Sequence, residues 1–274
     1  MEPVGVCDLI YHRCMRLPLF QVDAFTEKLF HGNPAAIVLL NEYFSDDTLR
    51  DIAAENNLSE TAFLVEQGDD YQLRWFTPGA EVSLCGHATL ASAAVVLERL
   101  APARTSVRFH TASGILTVEK QGTGYVMDFP ALTPKPAAKP AGLAEALGAD
   151  PLEVWQSSFL LAELKDAATV RALTPNMEQL KALHPHGVIV TARGDQGHDC
   201  VSRVFVPALG VPEDPVTGSA HCVLAPYWAA KLGKTQIRAW QASRRGGKIL
   251  CTLENERVQL QGECVFYLEG TITL

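Results

Sequence analysis

Arg74-Trp75-Phe76-Thr77-Pro78 returns in the second half of the chain as Arg203-Val204-Phe205-Val206-Pro207. Each copy has the form Arg-x-Phe-x-Pro. Each leads through a loop to a glycine and a run of small residues, Gly86-His87-Ala88-Thr89-Leu90-Ala91 in the first and Gly218-Ser219-Ala220-His221-Cys222-Val223 in the second. The arginines are 129 residues apart and the glycines 132, so the second loop is three residues longer. Past the glycines the register holds, with Ala88 opposite Ala220, Ala93 opposite Ala225 and Leu100 opposite Leu232. Several identities in one order and one register point to a duplicated architecture of helices and sheet.

The local pattern around each copy agrees. Residues 71–76 and 199–206 carry strand-forming residues with partial alternation. Each strand enters a turn-rich loop that delivers the chain to a helix N-terminus. The helices expected near residues 87–100 and 219–232 are apolar on almost every face, so each belongs in an interior, wrapped by sheet. Pro226 falls inside the second and is expected to bend or break it. Pro130, Pro134, Pro136 and Pro140 mark an extended linker over residues 131–141. It separates a first half, 15–130, from a second, 142–263. Residues 264–274 alternate as a strand that either closes the second half or returns to the first. Residues 1–14 read as an N-terminal extension: Asp8, His12 and Arg13 break the order of a signal peptide.

Composition narrows the function. The chain has 274 residues, 47% hydrophobic and 20% charged, as an ordinary globular protein has. A net charge of −8 and one compact basic cluster, Arg244-Arg245 with Lys248, do not make a nucleic-acid groove. No apolar run approaches the roughly 18 residues that span a bilayer. Seven cysteines, at 7, 14, 85, 200, 222, 251 and 264, form no CxxC pair, which argues against a disulfide framework or zinc motif and for the cytoplasm. The histidines show no ligand spacing, and there is no GxGxxG or Walker pattern, so neither a metal nor a nucleotide cofactor is assigned.

Two loop-to-helix junctions of one kind suggest a shared site between the halves. A helix N-terminus presents unpaired N–H groups and about half a positive charge, which suits a carboxylate or an enolate. Gly86, Gly218 and Ser219 would let such a ligand approach the backbone; turn formation and helix packing are the plain alternative.

The segments Gly32-Asn33-Pro34, Asn57-Leu58-Ser59-Glu60-Thr61-Ala62-Phe63, Arg74-Trp75-Phe76-Thr77-Pro78, Leu84-Cys85-Gly86-His87-Ala88-Thr89 and Glu213-Asp214-Pro215-Val216-Thr217-Gly218-Ser219-Ala220-His221 occur in this order. Together they resemble the PhzF-like (phenazine biosynthesis-like) isomerases over nearly the whole chain. The resemblance implies a diaminopimelate epimerase-like α+β fold. In it, two pseudo-symmetric half-domains each roll a mostly antiparallel or mixed sheet around a central helix, and the last strand returns to the first half. It also implies a homodimer and a cofactor-independent proton shift on a small carboxylate-bearing molecule, of the kind that isomerises a dihydro-hydroxyanthranilate.

The resemblance makes Glu60 the acid/base, with His87 and Asp214 as its polar partners. Read alone, Glu60 is an exposed turn residue, His87 a capping or packing histidine and Asp214 a loop cap. A carboxylate beside apolar walls has its pKa pushed toward working pH, as a proton shuttle needs. Segment 241–247 also resembles a family segment, and Arg245 then either binds a substrate carboxylate or occupies a hairpin turn. Two rival readings stand beside the isomerase: an amino-acid racemase or epimerase, and a non-catalytic protein-binding member of the fold. The first needs two thiols. Cys85 stands where one would be, but its counterpart in the internal register is Thr217, too weak an acid, and Cys222 comes a helical turn late.

Overall fold

A computed structural model describes residues 15–274; the extension read for residues 1–14 lies outside them. In the first half, Asn33–Leu40 runs parallel to Glu60–Gln67, which is antiparallel to Asp70–Phe76. That strand pairs with the short Glu81–Val82 and runs parallel to Ser106–Thr111. Ser106–Thr111, Gly114–Gln121 and Gly124–Pro130 then form an antiparallel meander. The second half repeats every step. Leu160–Glu163 runs parallel to Val188–Arg193, followed by Cys200–Val206, the short Val211–Asp214, parallel Gln236–Gln241, and the meander through Gly247–Glu254 and Arg257–Gly262. The two meanders meet where Gly124–Pro130 pairs with Arg257–Gly262. The sheet is therefore continuous through both halves, and the duplication is visible strand by strand.

The strand after each meander crosses over. Cys264–Thr273 pairs with Arg16–Ala24, the outermost strand of the first half's series. Its counterpart, Lys135–Pro136, lies in the proline-rich segment and pairs with Glu153–Gln156 of the second half. The segment read as an extended linker is thus held along its length: Ala131 N–H also donates to Glu256 O, and Ala137 N–H to Val154 O.

The Arg-x-Phe-x-Pro repeat is a structural unit. Arg74 grips both oxygens of Glu81, each at 2.7 Å, and Arg203 grips both of Glu213, at 2.8 and 2.9 Å. Each guanidinium also lies over the phenylalanine two residues on, 5.1 Å from the Phe76 centroid and 4.9 Å from Phe205. Glu81 and Glu213 are 132 residues apart, so the three added residues fall between Arg203 and Glu213, where Pro207–Leu209 forms a 3-10 turn.

Gly86–Val95 and Gly218–Leu232 are the central helices, buried on nearly every face as their composition demands. Buried polar side chains on them bond back one turn: Thr89 to Cys85 O, Ser92 to Ala88 O, and His221 Nδ1 to Thr217 O. The first helix ends in a π-turn over Val96–Leu100. The second runs unbroken through Pro226, so the expected break does not occur. Pro226 cannot donate to Cys222 O, and Leu132 N–H from the joining segment donates to that carbonyl instead, at 2.9 Å. Outside the sheet, Asp46–Asn56 packs on the first half and Leu143–Leu147, Ala167–Ala172 and Met177–Leu183 on the second.

Candidate active site

The central helices meet at their N-termini. A Cβ added to Gly86 would sit 3.7 Å from the Gly218 Cα, and the reverse distance is the same. Cys85 and Thr217 occupy the two N-cap positions, as the internal register requires, and neither makes a side-chain capping bond. Backbone N–H groups from both halves therefore converge on one spot.

Glu60 reaches this spot as the first residue of its strand. The outer helix ends at Asn57 in the left-handed region (φ 49°), and the Leu58-Ser59 turn brings the chain back inward. Glu60 Oε2 lies 3.1 Å from His87 Nε2, an ion-pair distance. Apart from this contact, the buried oxygen has no hydrogen-bond partner among the described residues. The Glu60 side chain is 18% exposed, and His87, in the first helical turn, is buried.

Asn33 joins the halves behind His87. Its Nδ2 donates to Asp214 Oδ1 at 2.8 Å and to Val216 O at 3.0 Å, and lies 3.1 Å from His87 Nδ1. Thr217 Oγ1 donates to the other Asp214 oxygen at 2.5 Å. Gln241, fully buried, spans the same loop: its Nε2 donates to Asp214 O and its Oε1 accepts from Thr217 N–H.

Burial raises the Asp214 pKa to about 6; His87 opposes the rise, the Glu60 carboxylate adds to it, and the Thr217 and Asn33 bonds temper it. Burial by itself disfavours the His87 imidazolium, yet the Cys85 sulfur and the Glu60 carboxylate hold its pKa well above the ordinary value. Burial pushes the Cys85 thiol up to about 11, with Glu60 reinforcing it, so near neutral pH Cys85 is a thiol. Cys85 Sγ is 3.5 Å from His87 Nδ1 and 4.0 Å from Nε2. One donor atom from each of Glu60, Cys85 and His87 falls within 4.8 Å of the others, a proximity that histidine spacing did not reveal.

The fold thus brings Glu60, His87, Asp214, Gly86 and Gly218 together, with Ser219 exposed on the first turn of the second helix. Arg245 is bound to the segment that leads into Asn33. Its guanidinium donates to Asp23 Oδ1 at 2.7 Å, Gly32 O at 2.8 Å and His31 O at 2.9 Å. Asn33, Thr217 and Gln241 escaped the sequence reading as site residues. All three stood inside quoted segments, but an amide or hydroxyl has no titration to single it out.

The family profile described as "Phenazine biosynthesis-like protein" matches residues 22–270. A protein of Pseudomonas aeruginosa named as an uncharacterised isomerase is 51% identical over 260 residues, covering 95% of this chain and all of its own. A crystal structure of a PhzF-family phenazine biosynthesis protein from Enterococcus faecalis superposes with a TM-score of 0.92 at 44% identity, over 95% of this chain and all of that one. A hydroxyproline epimerase from Agrobacterium vitis, 11% identical with a TM-score of 0.59 over 96% of this chain and 92% of its own, shares the fold alone. Matched across nearly its whole length in sequence and in structure, the chain belongs to the phenazine biosynthesis-like family.

Proposed function

We propose that the protein is an isomerase that moves a proton on a small carboxylate-bearing molecule, with Glu60 as the acid/base. The observation that carries this reading is the Glu60 carboxylate itself: one oxygen buried with no partner but His87, 3.1 Å away, at the meeting point of two helix N-termini without side-chain caps. The isomerase name borne by the Pseudomonas aeruginosa relative agrees with it.

Glu60 takes a proton from one carbon of the substrate and returns it to another. Atoms balance within the one molecule, and the shift consumes no oxidant. The N–H groups at Gly86 and at Gly218-Ser219 hold the substrate carboxylate and steady the charge that develops as the proton leaves. His87 lies against Glu60 and orients it, and Asp214 holds Asn33 and, through it, the back of the His87 ring. The free cysteines Cys85, Cys200, Cys222, Cys251 and Cys264 suit a reducing compartment such as the cytoplasm. In the racemase reading, the place opposite Cys85 is filled by Thr217, which already donates to Asp214.

The test is Glu60→Gln, which keeps shape and loses the titrating group. On a dihydro-hydroxyanthranilate-type acid, kcat is expected to fall by about 10²–10⁴-fold with little change in binding. Exchange of carbon-bound hydrogen with deuterated solvent should disappear with it. A folded Glu60→Gln protein turning over at the wild-type rate sinks the proposal.

A further inference from the structure

We propose that Asn33 is a positioning residue: its amide fixes the His87 ring as the tautomer that carries its proton on Nε2, and so turns an N–H toward Glu60. The orientation of the amide follows from its neighbours. Asn33 Nδ2 lies 2.8 Å from Asp214 Oδ1, 3.0 Å from Val216 O and 3.1 Å from His87 Nδ1. Val216 O is a carbonyl and never donates, so the group facing it is the NH2 and not the amide oxygen, whatever the charge on Asp214. His87 Nδ1 therefore faces a donor. A proton on that nitrogen would set N–H against N–H, so Nδ1 accepts and the ring proton sits on Nε2.

A second observation shows what the amide supplies. Asn33 is fully buried, and its Oδ1 has no hydrogen-bond partner among the described residues. A buried acceptor left unpaired is a cost that a residue kept only to tie the halves together need not bear. The use of Asn33 lies in its two hydrogens, shared among three acceptors from both halves.

The titrating groups around the ring are Glu60 at the start of its strand, Cys85 at the N-cap, and Asp214 behind Asn33. Burial disfavours an imidazolium, whereas Cys85 and Glu60 favour one. Cys85 draws a proton to the ring only as a thiolate, and near neutral pH it is a thiol. Its sulfur, 3.5 Å from Nδ1 and 4.0 Å from Nε2, lies beside the ring and offers an Nδ1–H no acceptor in the ring plane. Burial and the Asn33 donor then act together against Glu60, and the ring stays neutral with Nδ1 bare. Its Nε2 meets Glu60 Oε2 at 3.1 Å and leaves the other carboxylate oxygen to the substrate. That last consequence rests on Glu60 being the acid/base, as the proposed function holds; the tautomer does not.

The experiment uses the full chain, isotope-labelled at its histidine ring nitrogens, and needs no substrate. The His87 signals are those missing from His87→Gln. In wild type near neutral pH, Nδ1 is expected to resonate as a bare ring nitrogen and Nε2 as an N–H. In Asn33→Ala with native circular dichroism the preference should be lost, and protons should appear on Nδ1. A wild-type His87 protonated on Nδ1, as the other tautomer or as imidazolium, overturns the proposal, and this spectrum decides even where the variant fails to fold. An unchanged preference in folded Asn33→Ala overturns it too. On a dihydro-hydroxyanthranilate-type acid, Asn33→Ala should lower kcat by about 10²-fold, the low end for acid–base catalysis, with KM little changed. In a His87→Gln background it should lower kcat no further, because Asn33 acts through that ring; additive losses would leave it a structural tie alone. The expected tautomer beside a Glu60→Gln protein with full turnover leaves the hold of Asn33 on the ring standing and refutes only the proposed function.

Discussion

A carboxyl group that accepts from both Asn33 and Thr217 still has a raised pKa at Asp214, because burial and the nearby Glu60 charge outweigh those bonds. The consequence for stability has a definite sign. A folded-state pKa of about 6 against an ordinary 3.8 means that the native state holds this proton more tightly than the unfolded chain does. Stability from Asp214 is therefore full below pH about 4 and is lost as pH rises to about 6. The loss is at most about 3 kcal/mol at 1.36 kcal/mol per pKa unit, and partial exposure of the side chain lowers it. Asp214→Asn should flatten this slope, seen as a difference in urea midpoint between wild type and variant that grows from pH 4 to 6 and then levels. At this scale the sequence was legible only where chemistry marks a residue. Glu60, His87 and Asp214 lie 154 residues apart from first to last, and it was their motifs that singled them out. Asn33, which touches both His87 and Asp214, carried no such mark, since an asparagine beside a proline also reads as a turn.

Elements were more legible than residues, because periodicity and repetition accumulate over many positions. Both central helices and the strands bearing the two arginines were expected close to where they lie. The helix survives Pro226 unbroken for a physical reason: the donor that takes over its Cys222 carbonyl, Leu132 N–H, comes from 90 residues before that carbonyl, and no local rule can supply it. This bond should be measurable. Leu132→Pro removes the donor and leaves Cys222 O unpaired, at a cost of about 1–3 kcal/mol in urea unfolding. In a Pro226→Ala background the restored helical N–H can serve the same carbonyl, so the cost of Leu132→Pro should shrink. An equal cost in both backgrounds would show that the loss comes from packing alone.

For the whole molecule, the duplication announced by two pentapeptides extends to every strand pairing, while the crossing of the final strands was beyond periodicity. The halves are also tied through Arg245, whose partner Asp23 is 2% exposed. Burial raises the Asp23 pKa against the pull of the Phe30 N–H and Arg245. Arg245→Met should therefore destabilise the protein by roughly 3 kcal/mol, near the low end for breaking a buried pair because the arginine is partly exposed. Asp23→Asn in the same chain should recover part of that loss. An unmoved unfolding midpoint with a large rise in KM would instead make Arg245 a substrate ligand.

The exchanged strands carry a consequence for how the protein is made. Lys135–Pro136 leaves the ribosome before the partner it will pair with, and Arg16–Ala24 must wait for Cys264–Thr273, 240 residues further along the chain. The first half therefore cannot complete its sheet until the second half has been made; one flank of Arg16–Ala24 stays open until then. A nascent chain stalled before residue 264 carries an unpaired strand edge, the feature most prone to capture by a neighbouring chain on a crowded polysome.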